Sequence, residues 1–189
     1  PPSSPFYIPA IQPPARDIAR AKALLAQAGI TGRVPIDLTV TNAPDAQQAA
    51  EVIQSMAAEA GFDVKIQAAE FATSLNMADK GDYEAYVLAW SGRADPDGNL
   101  FSFHGCKQPL NYSGYCDPET DKLLTQSRSL RDVAERKKVF EQIAAKVMKE
   151  RPIIYLYHRN WLWAYNGKLT GVRNIPDGLL RVTGLKMAP

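Results

Sequence analysis

The sequence predicts an α/β fold built on a mixed, mostly parallel sheet that is flanked by helices. Two kinds of segment alternate along the chain. In one kind every second residue is apolar, as in a strand, and in the other the apolar residues recur at helical spacing. The lengths of both kinds of segment are those of βαβ units. With 189 residues, of which 46% are hydrophobic, the chain is long enough to bury a sizeable core.

The first half of the chain carries the clearest alternation of helices and strands. Ile18, Ala21, Leu25 and Ala28 fall on one helical face, and Gly29 supplies a C-terminal stop. The later segments are predicted by the same reasoning. In chain order they are a helix over 15–28, a strand over 34–41, a helix over 46–60, a strand over 62–68, a short helix over 72–82 and a strand over 83–90.

The second half is predicted to contain a loop, two helices, a β-rich stretch and a tail. A loop over 98–116 is followed by a helix that begins near Asp117, because Asp suits the N-cap and the next residue, proline, suits the first turn. A second, amphipathic helix covers 133–149. The remaining segments are a β-rich, aromatic stretch over 153–166 and a tail over 167–189, containing GVRNIPDG, with one or two short strands.

Charge and motifs exclude several functional classes. The net charge is only +2 and the basic residues are scattered among acids, which argues against nucleic acid and against a membrane surface as partners. No nucleophile-elbow, zinc-protease or phosphate-loop motif is present. His104 and His158 lie in unlike segments and are interpreted as structural. We therefore expect a binding protein that is not an enzyme and has no metal site and no cofactor.

The two cysteines lie ten residues apart, in HGCKQPLNYSGYC. A disulfide between Cys106 and Cys116 is the preferred interpretation, and two unrelated thiols or half of a zinc site are the alternatives. A disulfide would favour an oxidising compartment such as a periplasm.

The stretch AWSGRADPDGN, residues 89–99, follows the third predicted strand. Ligand crevices of open α/β sheets form at the carboxyl ends of strands, so its position favours a ligand site. Trp90 is either a ligand platform or core filler. Arg93 is either a carboxylate anchor or the partner of Asp95 or Asp97 in a salt bridge. The DPDG portion, with Asp97, is typical of a turn.

Two further aromatic residues, Tyr112 and Tyr115, lie in the loop between the cysteines. They would either stack on a ligand or cover the loop. In the β-rich stretch, Trp161, Trp163 and Tyr165 alternate on one strand face, which indicates packing between elements.

Five segments in this order carry a family resemblance: ARAKALLAQAGI, TVTNAPDAQQAAEVIQSMAAEAGFDVKIQ, YEAYVLAWSGRADPDG, NYSGYCDPETDKLL and ERKKVFEQIAAKVMKERPIIYLYHRNWLWAY. Together they resemble the solute-binding proteins of peptide-type ABC importers, which include dipeptide-, oligopeptide- and nickel-binding proteins. The resemblance covers about residues 15–175. It implies one lobe of a type II periplasmic binding protein, from the C-terminal portion of a longer, two-lobed chain.

The resemblance also implies a domain arrangement and partners. Residues 1–14 would be an extended lead-in, 15–165 the α/β ligand-binding lobe, and 166–189 a segment that returns toward the missing N-terminal lobe. The protein would capture a short peptide or related small carboxylate-bearing solute between the lobes and deliver it to ABC permease subunits in the membrane. It would lie in the periplasm or be a cell-surface lipoprotein.

Two groups of alternatives stay open at this point. Within the same family, the solute could be a sugar oligomer, an opine-like compound or a metal chelate. Outside it, the chain could be a stand-alone α/β interaction module or a small enzyme.

The resemblance places a ligand site around the WSGR sequence. In peptide binders of this kind an aromatic residue at the strand end packs on the ligand, and Trp90 matches it. An Asp a few residues later pairs with the peptide's ammonium group, but here Arg93 stands at that position, and its guanidinium suits a carboxylate. Asp95 could take the ammonium role instead. The predicted ligand-binding residues are Trp90, Ser91, Gly92, Arg93, Asp95, Tyr112 and Tyr115.

Overall fold

The computed structural model describes residues 4–173, 175 and 179–189. The chain divides into two compact units, one formed by residues 13–90 and the other by residues 1–12 together with 91–189. The first three residues of the predicted lead-in and most of the NIPDG portion of the tail lie outside the described residues. The predicted division at residues 14 and 165 stays a prediction.

The unit formed by residues 13–90 is a three-stranded parallel sheet with helices between its strands. The strand order is β2-β1-β3, and Val34 of β1 lies opposite Phe62 of β2. This architecture confirms the predicted α/β class. Its elements are α1 (Ile18–Gln27), β1 (Val34–Thr41), α2 (Pro44–Ala60), β2 (Phe62–Ala69), α3 (Phe71–Lys80) and β3 (Ala85–Tyr86).

The sheet is held by apolar residues that alternate along β1 and β2 and pack against α2. The buried core of this unit consists of Leu38, Val40, Ala50 and Val64. Gly61 ends α2 with a left-handed φ of 106°, a conformation that glycine adopts without steric cost. The tight turn that follows lets β2 begin directly beside β1.

The third strand is shorter than the sequence predicts. Only Ala85 and Tyr86 pair with β1, and the backbone N–H of Val87 still donates to Thr39 at 3.0 Å. Because β1 itself ends at Thr41, few backbone groups are left to pair with residues beyond Val87. The segment from there to Trp90 therefore leaves the sheet as irregular chain.

The second unit is helical, with a short antiparallel strand pair near its end. The predicted loop over 98–116 is wrong in its first part, because a helix occupies Asp97–His104. Proline before this helix and Asp97 in its first turn favour a helix start, but Gly98 within that turn obscures the pattern. The elements are α4 (Asp97–His104), α5 (Pro118–Ser129), α6 (Val133–Glu150), β4 (Leu169–Thr170) and β5 (Lys186–Met187).

Helices α5 and α6 begin at capping aspartates, as predicted for the first of them. Asp117 accepts a hydrogen bond from Thr120 N at 2.7 Å, and Asp132 accepts one from Glu135 N at 2.9 Å. The core between the two helices consists of Leu124, Val139, Phe140, Ile143 and Val147. Within the described ranges, no helix is long and apolar enough to cross a membrane.

Residues 153–166, predicted to be β-rich, form no strand. Strand formation requires a partner backbone, and no described segment pairs with this one. Large apolar side chains stand out from it, with Ile154 78% and Leu162 91% exposed. The packing of Trp161, Trp163 and Tyr165 between elements stays a prediction, and all three are about half exposed. The rings of Trp161 and Trp163 stack on each other, with centroids 6.5 Å apart.

Candidate functional site

Arg93 lies in the segment that precedes α4, in the unit that contains residues 91–189. Its backbone is held by the side-chain amide of Asn99. The N–H of Arg93 donates to Asn99 Oδ1 at 2.6 Å, and Asn99 Nδ2 donates to the Arg93 carbonyl at 2.7 Å and to the Asp95 carbonyl at 3.2 Å. One amide therefore fixes the direction in which the Arg93 side chain leaves the backbone.

The side chain of Arg93 is exposed. Its Nη1 donates to the backbone carbonyl of Ser91 and, at 3.0 Å, to Ser91 Oγ. A guanidinium has five N–H donors in a planar fork. The Ser91 contacts thus orient the fork of Arg93 on the protein surface.

The two acids that the sequence offers as partners of Arg93 are each held by another arginine. Asp95 accepts from Arg136 Nη1 at 2.5 Å and from Arg136 Nη2 at 2.8 Å. Asp97 accepts from Arg128 Nε at 2.9 Å and from Arg128 Nη2 at 3.1 Å. The hydrogen bonds from Arg136 are the main reason why the pKa of Asp95 lies below its usual value. An ammonium group would have to compete with Arg136 for this carboxylate.

The DPDG sequence is more than a turn. Asp97 is the first residue of α4, and Asp95 accepts a hydrogen bond from its backbone N–H at 2.9 Å. The prediction that Asp97 serves only a turn is therefore wrong. It is placed where a carboxylate favours a helix N-terminus, and it also pairs with Arg128.

Trp90 is the last residue of the sheet-containing unit. It lies four residues beyond the end of β3 and is 41% exposed. This exposure is higher than expected for core filler and is compatible with a ligand platform. Its role as a platform stays a prediction, as do the roles of the other predicted ligand residues.

The predicted disulfide is present. Cys106 and Cys116 are bonded, with their Cα atoms 4.6 Å apart, so the alternatives of free thiols and of half a zinc site are excluded. Inside the loop, Asn111 Nδ2 donates to the carbonyls of Gly105 at 2.9 Å and of Tyr115 at 2.6 Å. The loop is therefore fixed both by the disulfide and by the hydrogen bonds of the Asn111 side-chain amide.

The two predicted tyrosines of this loop are both partly buried. The hydroxyl of Tyr115 donates to Glu150 Oε2 at 2.5 Å and lies 3.0 Å from Thr120 Oγ1. Partial burial is the main reason why its pKa is raised, and the Glu150 carboxylate adds to the effect. The Tyr115 hydroxyl thus ties the loop to α6. Tyr112 stays a predicted ligand residue.

His104 ends α4 and is 1% exposed. Its Nε2 lies 2.7 Å from the Tyr155 hydroxyl, whereas Nδ1 has no hydrogen-bond partner in the part of the chain that the structure describes. Burial lowers the pKa of His104 to about 4. The imidazole is therefore neutral at physiological pH, in agreement with the structural role that the sequence indicates.

An open groove of about 750 Å³ runs along α5 and contains none of the seven predicted ligand residues. The residues that line the groove are Cys106, Pro118, Asp121, Lys122, Thr125, Gln126 and Ser129.

In the described part of the chain, no three His, Cys, Asp or Glu side chains are grouped as they would be around a metal ion.

Sequence reasoning missed the two arginines that hold the Arg93 segment. Arg128 and Arg136 lie on α5 and α6, 31 and 41 positions from their acidic partners. Local patterns contain no signal for such distant pairs. An arginine that is largely buried, as Arg136 is at 17% side-chain exposure, is recognised only after the fold is known.

Three kinds of comparison place the chain among known proteins. Residues 1–111 match the family model "Bacterial extracellular solute-binding proteins, family 5 Middle". Di/tripeptide-binding protein 1 of Pseudomonas aeruginosa (strain UCBPP-PA14) is 30% identical over 167 residues, which is 84% of this chain and 31% of that protein. Oligopeptide-binding protein AppA of Bacillus subtilis (strain 168) is 31% identical over 130 residues, which is 67% of this chain and 24% of that protein.

Solved structures agree with these matches. The periplasmic binding protein DppA of Helicobacter pylori, in complex with the peptide STSA, has a TM-score of 0.72 and 28% identity, covering 80% of this chain and 31% of that one. HbpA2 of Haemophilus parasuis has a TM-score of 0.80 and 25% identity, covering 100% of this chain and 39% of that one.

The chain spans about a third of the length of the curated relatives that match most of it. The family match covers more than half of the chain, and its fold is similar to parts of the solved DppA and HbpA2 structures. On these grounds the chain belongs to the family 5 bacterial extracellular solute-binding proteins.

Proposed function

We propose that this chain is the part of an ABC-importer solute-binding protein that contacts a short peptide or related carboxylate-bearing solute. The complete protein captures the solute between two lobes and delivers it to permease subunits in the membrane. Arg93 binds a carboxylate of the solute, and Trp90 packs against its side chain or backbone. No catalytic step is part of this role.

The observation that carries the proposal is the exposed guanidinium of Arg93 on a backbone that is already fixed. A planar fork matches a carboxylate with two parallel hydrogen bonds. Because Asn99 and Ser91 hold the residue in place, little conformational freedom is lost on binding, which favours affinity. The peptide ligands named for the relatives carry a terminal carboxylate, which fits this chemistry.

The remainder of the longer protein is the proposed partner of the exposed segment 154–165. Ile154, Tyr157 and Leu162 are 78%, 66% and 91% exposed, and large apolar side chains exposed within one short segment are typical of a protein interface. Solute-binding proteins of about three times this length leave ample chain to cover it.

The cross-linked cysteines support a periplasmic or cell-surface location. Disulfides persist in oxidising compartments and are rare where thiols are kept reduced. The bonded pair Cys106 and Cys116 agrees with the periplasmic location named for the solved DppA protein of H. pylori.

The proposal is tested by titration calorimetry of the complete protein with a library of di- and tripeptides. Arg93→Gln is expected to lower the affinity for bound peptides about tenfold to a hundredfold, because a charge-assisted hydrogen bond is worth about 1.5–3 kcal/mol. Arg131→Gln removes the same charge from an exposed arginine between α5 and α6 and is the matched control, with an expected change below twofold.

An unchanged affinity of the Arg93→Gln protein for every peptide would overturn the anchor role. Binding of a sugar oligomer, an opine-like compound or a metal chelate, with no binding of peptides, would replace the proposed solute class. Turnover of a bound compound by the protein would contradict the role as a binding component.

A further inference from the structure

The backbone of Arg93 is fixed by one side chain of α4. Asn99 accepts from the Arg93 N–H and donates to the Arg93 carbonyl, at 2.6 and 2.7 Å. Both polar groups of one residue are thus bound by one planar amide, which restricts both φ and ψ of Arg93. The orientation of the Arg93 side chain consequently depends on where α4 begins.

Gly98 contributes to the same restriction. A Cβ at this position would lie 2.9 Å from Arg93 Cγ and 3.0 Å from Arg93 Cβ. The side chain of Arg93 therefore runs across the backbone of Gly98 at a distance that only glycine permits. The first turn of α4 therefore contacts the backbone of Arg93 through Asn99 and the side chain of Arg93 through Gly98.

The first turn of α4 and the segment just before it are attached to the neighbouring helices by two bidentate ion pairs. Asp95 binds Arg136 of α6 and Asp97 binds Arg128 of α5, with all four N–O distances between 2.5 and 3.1 Å. Bidentate pairs fix orientation as well as distance. The position of Asn99 is therefore tied to α5 and α6 through the residues immediately before it.

Both arginines are held by contacts of their own. Arg136 Nε donates to the Ser127 carbonyl at 2.8 Å, and its guanidinium lies 5.2 Å from the ring of Phe140. The Arg128 guanidinium lies 3.7 Å above the ring of Phe101. Phe140 is part of the buried core of α5 and α6. The contacts of Arg136 with Phe140 and with Asp95 therefore connect this core to the Arg93 segment.

We propose that Arg136 and Arg128 are positioning residues for ligand recognition, which act on the ligand through Asp95, Asp97 and Asn99 by fixing Arg93. The inference rests on the proposed function of Arg93 as the carboxylate anchor. Neither arginine contacts the ligand in this arrangement. Their contribution to affinity therefore exists only while Arg93 is present.

The first test measures Arg93 itself and needs no ligand. Arg136→Gln, Arg128→Gln and Asn99→Ala are each expected to speed amide hydrogen exchange of Arg93 about tenfold, measured on the complete protein by mass spectrometry of the peptide that contains Arg93. Arg16→Gln breaks an exposed ion pair with Glu59 in the other unit and is the matched control, with unchanged exchange at Arg93. Unchanged exchange in Arg136→Gln and Arg128→Gln would overturn the inference.

The second test is a double-mutant cycle on the complete protein, titrated with alanyl-leucine. Arg136→Gln alone is expected to lower the affinity about fivefold to tenfold. In the Arg93→Gln background the same substitution should lower it less than twofold, because the effects of residues that act through one another on affinity are not additive. Arg136→Lys keeps the charge without the fork and should recover only part of the affinity.

The outcomes separate the inference from the proposed function. Equal losses on Arg136→Gln in both backgrounds would show that the ion pair stabilises the fold without positioning Arg93, and would overturn the inference. A normal affinity of the single Arg93→Gln protein would overturn the proposed function instead. The exchange rates at Arg93 would then still decide whether the arginines position it.

Discussion

Burial of His104 makes the stability of the helical unit depend on pH. The imidazole is 1% exposed and its pKa is about 4 in the folded protein, compared with about 6.5 for an unfolded histidine. Between pH 4 and pH 6.5 His104 therefore binds a proton in the unfolded chain but not in the folded chain. Stability is therefore fully present above about pH 6.5 and falls as the pH falls toward 4.

The size of the effect follows from the two pKa values. Each tenfold difference in proton affinity is worth about 1.4 kcal/mol, so this histidine contributes roughly 3 kcal/mol of lost stability between pH 7 and pH 4. Among the described residues, Nδ1 has no hydrogen-bond partner and Nε2 lies beside the Tyr155 hydroxyl. The Tyr155 hydroxyl carries no negative charge that would compensate a protonated ring.

The assay is urea unfolding from pH 7 to pH 4, followed by circular dichroism and by amide exchange in the α5–α6 core. His104→Gln is expected to be less stable than the wild type at pH 7, and the difference should shrink by roughly 3 kcal/mol on going to pH 4. His158→Gln, which removes the other, exposed imidazole, is the matched control. Parallel loss of stability in the wild type and His104→Gln would refute the reasoning.

Three further predictions concern the same helical unit. Replacing Cys106 and Cys116 together by serine should cost about 2–3 kcal/mol in thermal unfolding, because the ten-residue separation closes a short loop. Leu124→Ala should cost about 2–5 kcal/mol, because the side chain is fully buried. Gly98→Ala should shift the amide resonance of Arg93 and weaken peptide binding, because its Cβ would lie 2.9 Å from the Arg93 side chain.

Each of these predictions has its own control. Reduction of the wild-type disulfide should match the double serine variant, and a reduced protein of unchanged stability would contradict the disulfide argument. Val133→Ala changes a side chain that is half exposed and should cost less than about 0.5 kcal/mol. Gly167→Ala, whose Cβ would have no heavy atom within 4 Å, should leave the Arg93 resonance in place. A shift as large as that of Gly98→Ala would contradict the close approach.

The sheet and its helices could be predicted because their signals are local. Strand β1 was predicted with its observed bounds, since its apolar residues alternate and breakers flank it. The caps of α5 and α6 are also local, because each aspartate bonds to a backbone N–H three residues later. The alternation of strand and helix segments at βαβ lengths in turn predicts the mostly parallel sheet.

The errors arise where the conformation depends on distant residues. Helix α4 begins with Asp97 and Gly98, which on their own favour a turn, and it is tied to α5 by Arg128. Residues 153–166 have the composition of a strand, but composition cannot supply the partner backbone that a strand requires. The pairing of Asp95 with Arg136, instead of a partner nearby in sequence, likewise depends on the fold.

The central claim is that Arg93 binds a carboxylate of the solute. The most direct measurement compares the affinity of the complete protein for alanyl-leucine and for the same dipeptide with its C-terminal carboxylate converted to an amide. We expect the amide to bind at least about tenfold more weakly and Arg93→Gln to abolish this difference. Equal affinity of the wild-type protein for the two compounds would contradict a carboxylate-binding role of Arg93.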